Sequence, residues 1–425
     1  MSSVVSGLSR TCRDRNRTSS ASVSNADVRL RSWRMAGVIL FASSAALIST
    51  RCLGEPDVTH VDVSTLGDLE RELENLRERL DIPGLSAAIA VRGDIVWAHG
   101  FGWADLERHV PVDPDNTSFH LASVTKPYTA TVVLQLVDEG RLRLDAPVSD
   151  FGIDMPRNAP VRVWHLLSHT SGGTPGTAFH YDARAFGSLT AVVERATGRP
   201  FAAELTDRIV RKLALRHTGP NPREVNRAAC RAQAVLRLLD LCGTEQQAES
   251  SRAAFAASGL DRASLDADVA TGYARRWGRQ LWPAGLFGPM RPEQHLTSLF
   301  ASAGLVASAN DVARFSMALD DGRLLKDSTL ARAFTPAITP PVGKPTFGLA
   351  WFVQDYEGRS LAWHFGQTFE SSSLVLKIPR DRVTFVALAN SDGLSRRRRL
   401  GDHGNVLASP AAVLFLKLIA SGWSG

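Results

Sequence analysis

The 425-residue sequence predicts an α/β protein of the α+β type: an antiparallel sheet flanked by helices, with an all-helical lobe inserted between its strands. Three observations predict it. Short alternating apolar runs bounded by turn residues lie near both ends of the chain. The stretch between them, from about 160 to 285, is patterned for helices and punctuated by Gly and Pro. An apolar-faced helical segment, 409–420, closes the chain. This order places N- and C-terminal segments in one sheet. The α/β lobe then covers about 60–122 with 290–425, and the helical lobe about 123–289. With 44% hydrophobic and 22% charged residues, the chain has a globular balance and is long enough for a sizeable core.

The first 54 residues stand apart. They hold eight arginines against Asp14 and Asp27, which is the whole of the formal +6 charge. Residues 55–425 are balanced, so a large nucleic-acid surface is excluded. The arginine run 396–399 reads as a solvated turn. Within the leader, residues 35–48 are apolar and uncharged. That length is short for a bilayer span and fits the core of a signal peptide, with a cut before Glu55. Residues 1–54 are therefore expected to be a signal peptide or N-terminal targeting segment, and the product exported to the periplasm or beyond. An uncleaved anchor is the alternative, and the only membrane contact expected. A lipoprotein at Cys52 is disfavoured by Arg51. Cys230 and Cys242 are either a disulfide of an oxidising compartment or two buried thiols.

In the body, leucines 69, 73, 76 and 80 mark a helix over 68–80 that Pro83-Gly84 stops. Residues 85–92 and 95–99 read as strands joined at Gly93-Asp94, a hairpin signal. Residues 113–119 are loop-like. A helix follows over 123–139. Others are expected at 161–167, 181–196, 201–215, 223–241 and 310–319, the last with Asn310 as N-cap. Strands return at 347–354, 360–365, 373–377 and 383–389.

Common active-site signatures are missing: no G-x-S-x-G, no H-E-x-x-H, no paired C-x-x-C and no P-loop. Ser123-Val124-Thr125-Lys126 remains. Residues three apart share a helix face, so the Lys amine can take the Ser proton once burial lowers its pKa. Pro127 is tolerated only near a helix start, which puts Ser123 where free N–H groups favour a developing anion.

The neighbouring segments add specificity. Ala122–Pro127 is followed by His165-Leu166-Leu167-Ser168-His169-Thr170-Ser171-Gly172. Then come Phe179-His180-Tyr181, residues 187–198, residues 302–319, His364-Phe365-Gly366 and a final strand pair. This ordered series resembles the serine β-lactamase-like superfamily, in the branch of class C β-lactamases, D-alanyl-D-alanine peptidases and family VIII esterases. The resemblance covers about 66–420. It implies a β-lactamase/transpeptidase-like fold over 55–425, no metal or organic cofactor, and a small ester, amide or β-lactam substrate.

It also implies roles. Ser123 is the acylated nucleophile, Lys126 its general base and Tyr181 the proton relay. His364, Gly366 and Gln367 form the substrate-binding sheet edge. The N–H groups of Ser123 and Gln367 make the oxyanion hole. Two departures stand out. Ala183 replaces the Asn of the family's Y-x-N, with Asp182 and Arg184 as neighbours that could substitute. His364 replaces a Lys, and is expected to be partly charged near neutrality and to bind a substrate carboxylate. Both favour a broad acyl hydrolase. A β-lactamase, a D-amino-acid peptidase and a catalytically degenerate penicillin- or peptide-binding protein are the alternatives. Tyr273 is the rival for Tyr181. His169 is read as structural. Trp277, Trp282 and Trp351 are read as core or pocket wall, and Trp363 as the best pocket-lining candidate.

Overall fold

The computed structural model describes residues 58, 61–223, 245–275, 281–283, 299–339, 345–395 and 400–423. The leader, the expected helix over 223–241 beyond its first residue, Cys230, Cys242, Trp277 and the arginine run lie outside the described residues, as does the side chain of Trp282.

Helix α1 (Leu66–Arg79) starts at a capping box in which Thr65 accepts from the Asp68 N–H and Asp68 reaches back to Thr65. Its leucines 69, 73 and 76 are fully buried. Strands β1 (Gly84–Val91) and β2 (Asp94–Asp105) form the expected hairpin. Arg92 and Gly93 both take positive φ, 49° and 104°, which matches the twist of the two strands. The edge strand β3 (Val110–Pro111) and the short β4 (Phe119–His120) follow. The expected helix 123–139 begins one turn differently: a 3-10 turn, Ala122–Val124, leads into α2 (Thr125–Asp138).

The lobe that follows contains α3 (Val163–Leu167), α4 (Ala183–Gly187), α5 (Leu189–Thr197) and α6 (Phe201–Leu205). After the two-residue strand β5 (Gly219–Pro220) come α7 (Glu245–Ser258), α8 (Arg262–Asp268) and the small hairpin β6 (Tyr273–Arg275) with β7 (Leu281–Pro283). Where one helix was expected over 181–196, two form, and Tyr181 precedes both. The Asp182 carboxylate accepts from the N–H groups of Arg184 and Ala185 and starts the helix after the tyrosine.

The chain then re-enters the sheet region through β8 (Leu305–Ala307), α9 (Ala309–Asp320) and α10 (Asp327–Ala333). The N-cap of α9 is Ser308, not Asn310; its hydroxyl accepts from the Asp311 N–H. Strands β9 (Phe352–Tyr356), β10 (Arg359–Gln367), β11 (Ser372–Ile378) and β12 (Val383–Ala389) and the C-terminal α11 (Pro410–Ala420) complete the fold. Phe347 contributes only an isolated bridge to Phe352, so β9 starts later than the apolar run suggested.

The main sheet has seven strands in the order β3-β2-β1-β12-β11-β10-β9, every pair antiparallel. Its centre joins the two ends of the chain: β1 pairs β12 in the register Leu85↔Ala389 through Val91↔Val383. Both faces are covered. Leu85, Ala87, Ile89 and Val91 pack with α1 and α11, while Ala88 and Ala90 pack with α9 and the helical lobe. Burial on both sides explains why β1 reads as a nearly unbroken apolar run. Behind the sheet, the fully buried Lys377 is neutralised by Asp320 at 2.9 Å and bonded by Ser316 and Thr384 hydroxyls. Among the described residues, no helix is long and apolar enough to cross a membrane.

Candidate active site

The site is built where the turn before α2 meets the far end of β10. Leu121 is fixed from three sides. Its N–H donates to Leu305 O at 2.9 Å, and its carbonyl accepts from the Val124 N–H and from Ser373 Oγ at 2.7 Å. Ala122 has φ 47°, a left-handed conformation that is uncommon for a residue with a Cβ. The tight turn leaves Ser123 half-buried between the fully buried Ala122 and Val124.

Lys126 follows one turn later. Its Nζ lies 2.8 Å from Ser123 Oγ and donates to the carbonyl of Ser302 at 3.0 Å. Pro127 is the third helical residue, where its missing N–H would have had no intrahelical acceptor. Lys126 is completely buried, beneath the rings of Tyr181 and Phe186 at 5.1 and 5.5 Å. Desolvation lowers its pKa to about 7. The contrast with Lys377 is instructive: that lysine, equally buried, has a carboxylate, whereas Lys126 has a hydroxyl and a carbonyl. The second set cannot hold a full positive charge as well, so the amine is free to take up and release a proton.

Tyr181 completes the triad. Its Oη is buried, and no hydrogen bond of regular geometry satisfies it. Burial pushes the phenol above its ordinary range, partly offset by Ser123 beside it. It therefore stays neutral, a donor and acceptor rather than a phenolate. The rival Tyr273 is committed elsewhere: its hydroxyl lies 2.5 Å from Glu107 Oε2 and accepts from the Leu106 N–H. Asp182 is spent as a helix cap, so it does not replace the missing Asn. Ala183 and Arg184 are exposed.

His364 departs from the expectation. Its side chain is fully buried, and burial with the nearby Lys126 depresses its pKa to about 3. Nδ1 lies 2.7 Å from the carbonyl of Phe365 and so must carry the proton, leaving Nε2 as a buried lone pair with no partner. The imidazole is neutral at physiological pH and offers no cation to a carboxylate. His364→Gln is accordingly expected to leave the pH dependence of carboxylate-over-neutral ester selectivity unchanged between pH 5 and 8. Matched substrate pairs measure this, and a shifted profile would restore a titrating imidazole.

Gly366 has no room for a side chain: a Cβ there would lie 2.1 Å from Leu121 O and 2.3 Å from Ser373 Oγ. β9 pairs β10 only from Arg359 to Trp363, so among the described residues the outer edge of β10 is free of strand pairing from His364 to Gln367. This edge packs against the Ser123 turn and ends at the exposed Gln367. Trp363 is not a pocket wall. Strand alternation turns it to the opposite face from His364, where it is fully buried and stacks on Phe352 at 4.4 Å. Trp351 is core, against Phe334.

Two contributors had no local signal in the sequence: the Ser302 carbonyl on Lys126 and the Ser373 hydroxyl on Leu121. The Glu370 carboxyl lies against Gly272, three residues beyond Gln367, and desolvation raises its pKa to about 7. Among the described residues, no three His, Cys, Asp or Glu side chains are grouped to hold a metal ion.

Known proteins resemble this chain in sequence and in fold. The family model described as Beta-lactamase matches residues 69–408. Esterase EstB of Burkholderia gladioli is 34% identical over 192 residues, which cover 34% of this chain and 48% of that protein. The chain thus spans about half the length of that relative. In solved structures, the octameric penicillin-binding protein homologue from Pyrococcus abyssi superposes with a TM-score of 0.62 at 21% identity, covering 82% of this chain and 77% of that one. The D-amino acid amidase from Ochrobactrum anthropi SV3, complexed with L-phenylalanine, gives 0.60 at 19%, covering 83% and 98%. At these identities the structures establish a common fold.

Proposed function

The chain belongs to the beta-lactamase family, and from that premise we propose that it is a serine hydrolase that cleaves esters through an acyl-enzyme on Ser123. One observation carries the reading: a buried lysine with no carboxylate partner among the described residues, 2.8 Å from the hydroxyl of the half-buried Ser123. In the first half-reaction Ser123 Oγ bonds to the acyl carbon while its proton passes to Lys126. The tetrahedral oxyanion is held by the N–H groups of Ser123 and Gln367. Tyr181 then carries a proton to the leaving oxygen as the ester bond breaks. In the second half-reaction water passes a proton through Tyr181 to Lys126 as its oxygen bonds to the acyl carbon; the acyl–Oγ bond then breaks, the proton returns to Ser123 Oγ, and the acid leaves.

Esters without a carboxylate are favoured over β-lactams and D-peptides because His364 is neutral and Ala183 leaves out an amide contact. The similarity to an esterase supports the same order. We also propose export, on the leader's arginines and its apolar run at 35–48. Cell fractionation with N-terminal mass analysis checks it.

The test is to incubate the protein and Ser123→Ala with p-nitrophenyl esters and a chromogenic cephalosporin, following release and adduct mass. Ester turnover with an acyl adduct on the Ser123 peptide, absent from the variant, is expected. A permanent adduct without turnover indicates a binding protein. Faster cephalosporin cleavage indicates a β-lactamase. Equal activity in both proteins removes the Ser123 assignment.

A further inference from the structure

His169 sits where α3 ends, at the point where the chain leaves for the loop 170–180 and comes back as Tyr181. It is 1% exposed and its backbone is left-handed, φ 55°. Two of its atoms hold the returning strand. Its carbonyl accepts from the His180 N–H at 2.8 Å, and its Nδ1 accepts from the Asp182 N–H at 3.1 Å. The residues on either side of Tyr181 are therefore bonded to one amino acid. Its ring is also tilted against the phenol, with centroids 4.3 Å apart, and is backed by Phe186 at 5.3 Å and Phe347 at 5.2 Å.

We propose that His169 is the positioning residue for Tyr181: main chain, Nδ1 and ring together fix the height and tilt of the phenol over Ser123 and Lys126. The proposal rests on the reading of Tyr181 as the proton relay. It needs a neutral imidazole with its proton on Nε2, since a protonated Nδ1 could not accept from Asp182. Burial favours the neutral ring, and the Asp182 N–H selects the tautomer. The charge of Lys126, the first of the groups facing the ring, also favours the neutral ring, with His364 and His180 beyond it. The other rings around Tyr181, those of Phe352, His364 and Phe365, lie farther off, with centroids 6.3–6.4 Å away, and its hydroxyl has no partner of regular geometry. Without the clamp the phenol could move by an ångström, and a displacement of that size costs roughly a hundredfold in rate.

The residue requirements at 169 are unusual enough to test directly. Asn tolerates a left-handed backbone, and its Oδ1 is attached to Cγ as Nδ1 is, so it can accept from Asp182. Leu has neither property. We expect H169L to lose about a hundredfold in kcat on p-nitrophenyl acetate and H169N to stay within about fivefold of the parent. In a Y181F background, H169L should cost nothing further, because a positioning residue has no effect once the group it positions is gone. Thermal melts accompany each variant, and if H169L does not fold, H169S, too short to reach the Asp182 N–H, takes its place. Losses that multiply in the double variant would overturn the proposal, as would an Asn variant as poor as the Leu one or an unimpaired H169L. Full activity in Y181F alone would instead sink the relay role of Tyr181, and with it any need to position that residue.

Discussion

Lys126→Met is expected to lower kcat/KM for p-nitrophenyl esters at pH 8 by about 10³-fold or more while making the protein more stable. The two effects have one origin. The parent buries an amine with no carboxylate partner among the described residues, which depresses its pKa to about 7. Below that pH the lysine is charged and blocked, so the parent's kcat/KM should rise tenfold per unit up to about pH 7 and then level off. His169 and His364 are neutral throughout this range and add no second limb.

The stability sign follows from the same shift. The unfolded lysine titrates near 10.5, so between about 7 and 10.5 the unfolded chain binds the extra proton and the parent gains stability as pH rises. The full penalty for burying the cation applies below 7. A methionine of similar volume removes it, so the stability advantage of Lys126→Met, about 1–4 kcal/mol, should be largest at pH 6 and shrink toward pH 10. Urea melts at three pH values measure this. A variant less stable at pH 6 would show that the lysine is not buried as a cation.

The second large effect is at Gly366. Gly366→Ala should reduce kcat by at least about a hundredfold and lower the melting temperature, although it adds only one methyl group. The added carbon would overlap the Leu121 carbonyl and the Ser373 hydroxyl, and neither can retreat. Leu121 is the first residue of the Ser123 turn, and Ser373 is paired opposite Gly366 in the sheet. The edge of β10 must therefore move away from the serine. Ser373→Ala supplies the control: it removes one hydrogen bond but leaves the backbone contact, so a smaller loss is expected. Equal losses in both would mean that the bond, not the close approach, sets the geometry.

Much of this arrangement was legible in the residues. The S-x-x-K spacing put an amine one turn from a hydroxyl, and Pro127 placed both at a helix start. Gly93-Asp94 marked the hairpin, and the leucine period of α1 marked its buried face. What stayed hidden depended on burial by distant segments. His364 reads as a half-charged imidazole from its ordinary pKa, and only the packing of β10 beneath Lys126 makes it neutral. Asp182 reads as a spare carboxylate until the helix it caps is seen to begin after Tyr181. Trp363 beside His364 suggested a shared pocket, but neighbours on a strand face opposite ways. Ser302 acts through a carbonyl, which any residue provides, so its identity carried no signal.

The pairing of β1 with β12 also governs when activity can arise. The Gly84 N–H donates to the side chain of Asn390, 306 positions later, and the Ser123 turn is held by Ser373, 252 positions beyond Leu121. A growing chain presents Ser123 early but lacks the strands that shape its turn until its last quarter has been made. Contacts this distant in sequence form slowly, so an unfinished or still unfolded polypeptide carries Ser123 and Lys126 as ordinary side chains. Under the proposed mechanism, reactivity is switched on by completion of the sheet.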